Sequence, residues 1–380
     1  MQRAFTLIEL LITIAILAIL GSSVALVLNP AELLAQSRDS ERLQDLEALK
    51  KSLSLTLIDN PSLLQSLSSS NIYLSLPSCT GLTPPSGFTY LCSATPSNIN
   101  GSGWIPLSLS NLPNLPLDPT NSSSSSLYYA FIPDPTNKTF VITSLLESEK
   151  YLKSASIKDG GTDPARIEEG NPALWTAASG LVGYWPMDEG SGTVAGDYSG
   201  SGNNGIVSGG AFWQGGCRSE SCLYLDGVDD SVSAINPLSS QPNLQQEWSV
   251  SAWVKIQART DQQLLNFNSG VKLNHGSTNR LLLYLNSGAN DYYDYGLYNV
   301  QDDIWHHVVF VFKNSTGLRE IYVDGVDYST TGPNYTSTPS GMPGTMLIGN
   351  GSVKGLLDEL RIYKRTLSAA EIKSAYVSQK

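Results

Sequence analysis

The apolar positions of this chain follow three rhythms. Residues 10–28 hold nineteen positions without a formal charge; at about 1.5 Å of rise per residue that run spans about 28 Å, close to the hydrocarbon depth of a bilayer. It predicts an apolar helix long enough to cross a membrane. The second rhythm is helical and amphipathic. Asn29-Pro30-Ala31-Glu32 reads as a helix start with Asn29 at the cap, and Pro30 breaks continuity with the apolar run. Leu43, Leu46, Leu49, Leu53 and Leu57 then recur on one face, with Arg38, Asp39, Glu41, Arg42, Lys50 and Lys51 on the polar side. The leucines are expected to pack on a following sheet.

Beyond residue 59 the rhythm shortens. Residues 127–132 and 138–143 are strand-like and flank Pro133-Asp134-Pro135-Thr136-Asn137, a hairpin signal. Residues 156–179 are polar, with Asp159-Gly160-Gly161 and Asn171-Pro172, and are expected to form a connector. From residue 180 onward short strands recur between Gly- and Asn-rich turns; along one of them Trp248, Val250, Ala252 and Val254 share a face. That pattern predicts a β-sandwich.

Length and charge narrow the picture. A chain of 380 residues has room for two globular units besides the apolar segment. The formal charge of −11 argues against a nucleic-acid partner. The cysteines form two local pairs, Cys79 with Cys92 and Cys217 with Cys222, and neither pair has the spacing or histidines of a zinc site. Two short-range disulfides, and hence an exported protein, are the expectation.

Glu9 is the chemical oddity, because a carboxylate beside or within lipid needs a cation and the apolar run supplies none. The stretch Arg3-Ala4-Phe5-Thr6-Leu7-Ile8-Glu9 resembles the class III signal of type IV prepilins, with Ala4 where that family usually has glycine. The resemblance implies cleavage between Ala4 and Phe5 by a prepilin peptidase on the cytoplasmic side. Glu9 would then pair with the new Phe5 amine of a neighbouring subunit. Gly103-Trp104-Ile105-Pro106, Leu115-Pro116-Leu117-Asp118-Pro119-Thr120-Asn121 and Leu145-Leu146-Glu147-Ser148 also resemble type II pseudopilins. The implied division is a leader at 1–4, a transmembrane and assembly helix at 5–28, and a pilin-like α+β module of long helix plus small antiparallel sheet at 29–155.

Residues 180–377 resemble the laminin-G-like, or concanavalin A-like, jelly roll. The motifs that carry the likeness include Leu225-Asp226-Gly227-Val228-Asp229-Asp230, Trp305-His306-His307-Val308, Tyr322-Val323-Asp324-Gly325 and Leu357-Asp358-Glu359-Leu360-Arg361-Ile362-Tyr363. Ser368, with Glu371 three residues later, predicts a capped closing helix. Many relatives of this fold hold a structural calcium ion, and Asp358, Asp188 and the Asp226-Gly227 backbone are the candidate ligands. The aromatic stretch holding Tyr292, Tyr293 and Tyr295 is expected in an exposed turn, where rings can stack on sugars.

Catalysis is not expected. Concanavalin A-like hydrolases set carboxylates on one strand as E-x-D-x-x-E, a pattern absent here, and His306 and His307 at the start of an apolar strand read as packing and turn residues. The sequence therefore predicts a membrane-anchored minor pilin or pseudopilin, with its globular part periplasmic or extracellular and its filament at the cell surface. Its partners would be other pilin subunits through the N-terminal helix, and a glycan or surface protein through the jelly roll. The alternative is a secretion pseudopilin that recognises exported cargo.

Overall fold

The computed structural model describes residues 7–16 and 29–380, apart from 86, 157–158, 160, 219, 240–246, 260–261, 268–270, 277–279, 287–289, 298, 314–317 and 330–343. Residues 7–16 are helical (α1) and every one of them is exposed. The expected 5–28 helix thus falls largely outside the described residues. Among those described, no helix is long and apolar enough to cross a membrane.

Helix α2 (Pro30–Asp59) starts at proline, whose missing N–H costs nothing in a first turn. Asn29 does not cap it through its side chain. Its backbone is left-handed, with φ of 33°, whereas a capping side chain reaches the first amides from extended backbone. The backbone closes the turn instead, with Glu32 N donating to Asn29 O at 3.0 Å. Leu46, Leu49 and Leu53 are fully buried as the spacing predicts, against Tyr73, Tyr129, Phe131 and Ile142.

Those aromatics belong to a sheet built from β1 (Asn71–Leu74), β2 (Thr89–Leu91), β3 (Tyr129–Asp134), β4 (Thr139–Leu145) and β5 (Arg166–Gly170), in the order β2-β1-β3-β4-β5. The sheet is antiparallel except that β1 and β2 run parallel, and a disulfide ties Cys79 on the link between them to Cys92, the residue after β2. Between β3 and β4, Asp134 accepts from Thr136 N, Asn137 N and Asn137 Nδ2 at 2.7–3.1 Å, which fixes the predicted hairpin turn.

The segment expected as a connector is part of this module. β5 pairs with β4 over Arg166 to Gly170, and α4 (Pro172–Ala178) lays Trp175 and Ala178 on Ile72, Leu74, Ile132 and Val141. Its polar sequence reads as a connector because the charged Arg166 and Glu168 of β5 are buried only by what the rest of the fold packs around them. A short helix, α3 (Glu149–Tyr151), runs into a π-helical turn (Leu152–Ser156) between β4 and β5.

The second module is a jelly roll. In chain order its strands are β6 (Leu181–Trp185), β7 (Val194–Ala195), β8 (Gly205–Ser208), β9 (Phe212–Gly215), β10 (Ser221–Asp226), β11 (Ser231–Ile235), β12 (Glu247–Ile256) and β13 (Gln262–Asn266). There follow β14 (Val271–Gly276), β15 (Arg280–Asn286), β16 (Asn290–Leu297), β17 (His306–Lys313), β18 (Leu318–Val323), β19 (Val326–Asp327), β20 (Thr345–Ile348) and β21 (Lys354–Tyr363), and then α5 (Ala369–Gln379). One sheet runs β19-β18-β17-β12-β21-β10-β9, with β6 also on β21; the other runs β16-β15-β14-β13-β20-β11-β8-β7. Every pair is antiparallel.

Between the sheets Trp248, Val250, Ala252 and Val254 are buried, as the alternation predicts, and Trp248 stacks on Phe312 with centroids 5.1 Å apart. The intervening Ser249, Ser251 and Trp253 are buried as well. Alternation alone cannot reveal this, since it depends on what covers the sheet's other face.

Candidate binding surfaces and the seam between the modules

Helix α5 covers that other face. Ser368 Oγ accepts from Glu371 N at 3.3 Å and the Glu371 carboxylate accepts from Ser368 N at 2.9 Å, the predicted capping box. From this fixed start, Ile372 packs on Val309, Val311 and Tyr322 of the jelly roll. Ala370 and Ala375 pack instead on Leu127, Leu145 and Ala165 of the first module, and Ser374 Oγ donates to Leu146 O at 2.9 Å. One helix thus belongs to two cores.

Glu371 is the electrostatic centre of the joint. Arg365 donates to both its oxygens at 2.8 and 3.0 Å, and Arg166 from β5 lies 3.7 Å away. Burial pushes its carboxyl up, but Arg365 with help from Arg166 outweighs burial and holds it at about 2.

Beside α5 lies the loop closed by the Cys217–Cys222 disulfide. Two aspartates pin its backbone. Asp358 accepts from Arg218 N at 3.0 Å, and Asp188 accepts from Glu220 N and Ser221 N at 3.0 and 2.9 Å. The loop presents the Arg218 guanidinium 4.3 Å over the Trp253 ring, where Arg218 Nη2 donates to Gln379 O. Next to it, Arg361 pairs with Glu359 at 2.6 Å and lies 4.1 Å over Tyr184, and Gln379 Nε2 donates to Glu359 at 2.6 Å. These residues, with Lys153, Ser156 and Thr162 from the first module, enclose a cavity of about 530 Å³.

The candidate calcium ligands do not share one site. Asp188 and Asp358 meet at the disulfide loop, where one oxygen of each, Asp188 Oδ1 and Asp358 Oδ2, accepts backbone N–H groups. Asp226 pairs with Lys354 in the ladder, four residues from Asp358 along β21, or about 13 Å at strand rise. Asp226 Oδ1 accepts from Val228 N at 2.7 Å, and Gly227, with φ of +82°, makes the turn. Among the described residues, one group of three carboxylates, Asp226, Asp229 and Asp230, has oxygens within 4.8 Å of one another. Asp230 is buried, which raises its carboxyl, and it accepts from Asp226 N at 2.6 Å.

The three candidate tyrosines lie on β16, an edge strand of the second sheet, rather than in a turn. Tyr292 stands in the register row Tyr292, Tyr284, Lys272, Asn266, Leu347, Ser233, Ile206, Val194, which crosses the whole sheet. At its far end Ile206 and Val194 are 63% and 50% exposed. Tyr293 stands in the adjacent row, which runs through the buried Leu265, Ile348 and Val232. Tyr295 falls at the register shift between Arg280 and Leu282. Tyr292 and Tyr293 thus stand in adjacent register rows rather than in one.

His307 is buried, and Ser251 Oγ lies 2.8 Å from its Nε2; burial and the nearby Arg361 push its pKa down to about 3. His306 is buried between Asp324 at 2.8 Å and Asp302 at 3.2 Å. Both histidines are held within the packing rather than presented to solvent.

At the other end of the chain, Glu9 lies in the exposed α1, while Ala4 and Phe5 lie outside the described residues. Residues 1–25 match the prokaryotic N-terminal methylation motif, and residues 223–373 match the Concanavalin A-like lectin/glucanases superfamily. The chain carries a prepilin-type signal and a concanavalin A-like domain. The fold of that domain extends upstream of the match, to β6. A search of curated proteins finds no match to this chain.

Among solved structures, the binding domain of Paraclostridial Mosquitocidal Protein 1 aligns at 15% identity and a TM-score of 0.42, over 52% of each chain. The receptor binding domain of botulinum neurotoxin C/D mosaic serotype aligns at 16% identity and a TM-score of 0.43, over 52% of this chain and 51% of that one. Domain 4 of a GH43 extracellular arabinanase from Geobacillus stearothermophilus, solved with arabinotriose, aligns at 20% identity and a TM-score of 0.42, over 51% of this chain and 97% of that one. This chain therefore spans about half the length of the two toxin domains.

Proposed function

We propose that this protein is a minor subunit of a type IV pilus-like filament that displays a binding domain. The leader is removed between Ala4 and Phe5 by a prepilin peptidase, the N-terminal helix anchors the chain in the membrane, and Glu9 pairs with the Phe5 amine of a neighbouring subunit. The observation that carries the reading is the joining of a methylation motif at residues 1–25 to a sandwich that α5 fixes on the first module. Because α5 covers one sheet, the opposite sheet is the face left for a glycan or a surface protein. Tyr292, Tyr284 and Lys272 stand in one register row across three of its strands, a mixture of rings and a cation of the kind that suits sugar stacking with polar contacts.

Mass spectrometry of the protein from its native membranes tests the assembly half. A mature chain that starts at N-methylated Phe5 is expected, and a chain that starts at Met1 would sink it. Glycan-array binding by the intact protein, lost on Tyr292→Ala and Tyr284→Ala, tests the display half. Unaltered binding by the double variant would remove the ligand from this face. Loss of protein secretion on deletion of the gene, with filaments intact, would favour the cargo-recognising pseudopilin instead.

A further inference from the structure

The seam cavity lies beside α5, against the sheet that does not contain β16, and its lining sets Lys153, Arg218, Arg361 and Lys380 against the carboxylates of Asp188 and Glu359. Two of its serine hydroxyls spend their protons on backbone carbonyls. Ser156 Oγ donates to Leu152 O at 2.6 Å or Pro164 O at 2.8 Å, and Ser378 Oγ donates to Ala375 O at 2.9 Å. Toward the cavity they offer only lone pairs. Among the cations of the lining, Arg218 has a buried Nε with no acceptor among the described residues. Burial also pulls the Arg218 pKa below its ordinary value despite the nearby Asp358, so its charge is under-stabilised. Arg361, by contrast, has its own carboxylate in Glu359. A disulfide and two aspartates thus hold the backbone on either side of Arg218, whose guanidinium has no carboxylate ion pair among the described residues.

We infer that this cavity is a binding site for a small sugar acid, with the ligand carboxylate on Arg218 and its hydroxyls donating to Ser156 and Ser378. The cavity, about 530 Å³, is of ordinary small-ligand size and accommodates a monosaccharide. Both modules and α5 contribute walls, so the bound ligand ties the sandwich to the first module. The inference is independent of the open-sheet reading, because none of its residues lies in that row.

The test is calorimetric titration of the full-length protein in detergent with D-galacturonate, D-galactose and inorganic phosphate. Galacturonate is expected to bind at least about tenfold more tightly than either of the others, since the site needs both charge and hydroxyls. Arg218→Gln is expected to weaken galacturonate about tenfold or more, and Arg218→Lys to weaken it less. Arg218 also holds Gln379, so a purely structural arginine would lower the melting temperature of the variants without altering galacturonate affinity. No binding of galacturonate overturns the inference, as do equal binding of galactose, equal binding of phosphate, or unchanged affinity in Arg218→Gln. If Arg218→Gln fails to fold, unchanged affinity in Arg218→Lys overturns it.

Discussion

The two modules are organised around opposite kinds of buried group. In the sandwich the centre is apolar, with Trp248 stacked on Phe312 among valines, leucines and isoleucines. In the first module α2 buries a charge. Arg42 is fully buried, with Asp118 at 2.7 and 3.0 Å, Asp39 at 2.7 Å and Glu147 at 2.6 Å. Arg38 adds a second pair of bonds to Glu147, at 2.7 and 2.9 Å. Burial alone would raise the Glu147 carboxyl, but Arg38 and Arg42 outweigh it and hold it below the usual range.

The difference teaches where each module is brittle. An apolar core degrades in proportion to the volume removed, whereas a buried ion network fails when one partner leaves the others uncompensated. Arg42 also does topological work, since Asp118 and Glu147 come from the loop before β3 and the end of β4. The network therefore clamps the long helix to both.

The sharpest way to break this contrast is Arg42→Ala, which should cost about 3–5 kcal/mol in urea unfolding. A loss below about 1 kcal/mol would mean that the carboxylates find water or protons cheaply, and the contrast would fall. The second test concerns Glu371, the charge shared between the modules. Its folded carboxyl is depressed to about 2 from an unfolded value of 4.5, so its contribution is present above pH 4.5 and is lost as pH falls toward 2. The shift corresponds to roughly 3 kcal/mol. Hydrogen exchange in α5 should accelerate across that range, and Glu371→Gln should flatten the dependence. The smallest effect is expected from Ser368→Ala, which removes the cap of α5 and should cost about 1 kcal/mol. An unchanged melting temperature there would show that docking, not capping, sets the helix.

Much of this was legible one element at a time. The leucine stripe of α2, the β3–β4 hairpin, the inner face of β12, both disulfides and the capping box of α5 all follow from spacing within a short window. Arg42 was not legible. It sits among Arg38, Asp39 and Glu41 and reads as solvated charge, because its partner Asp118 lies 76 residues away. The aspartates expected at one ion scattered for a related reason. Asp188 and Asp358 converge on the Arg218 loop only through the pairing of β21 with its neighbours, and that pairing carries Asp226 to the far end of β10.

The sequence by itself determined the prepilin-type start, the order of a helix-and-sheet module before a jelly roll, and the faces that local periodicity can encode. Tertiary structure alone decided that residues 166–170 join the first sheet, that α5 is shared by both modules, and that Arg42 is buried while Tyr292 and Tyr293 stand in adjacent rows of an edge strand. The physical reason is range. Hydrogen-bonded turns and amphipathic stripes are settled by neighbours a few residues apart, whereas burial of a charge or of a sheet's second face depends on what a distant segment brings to it.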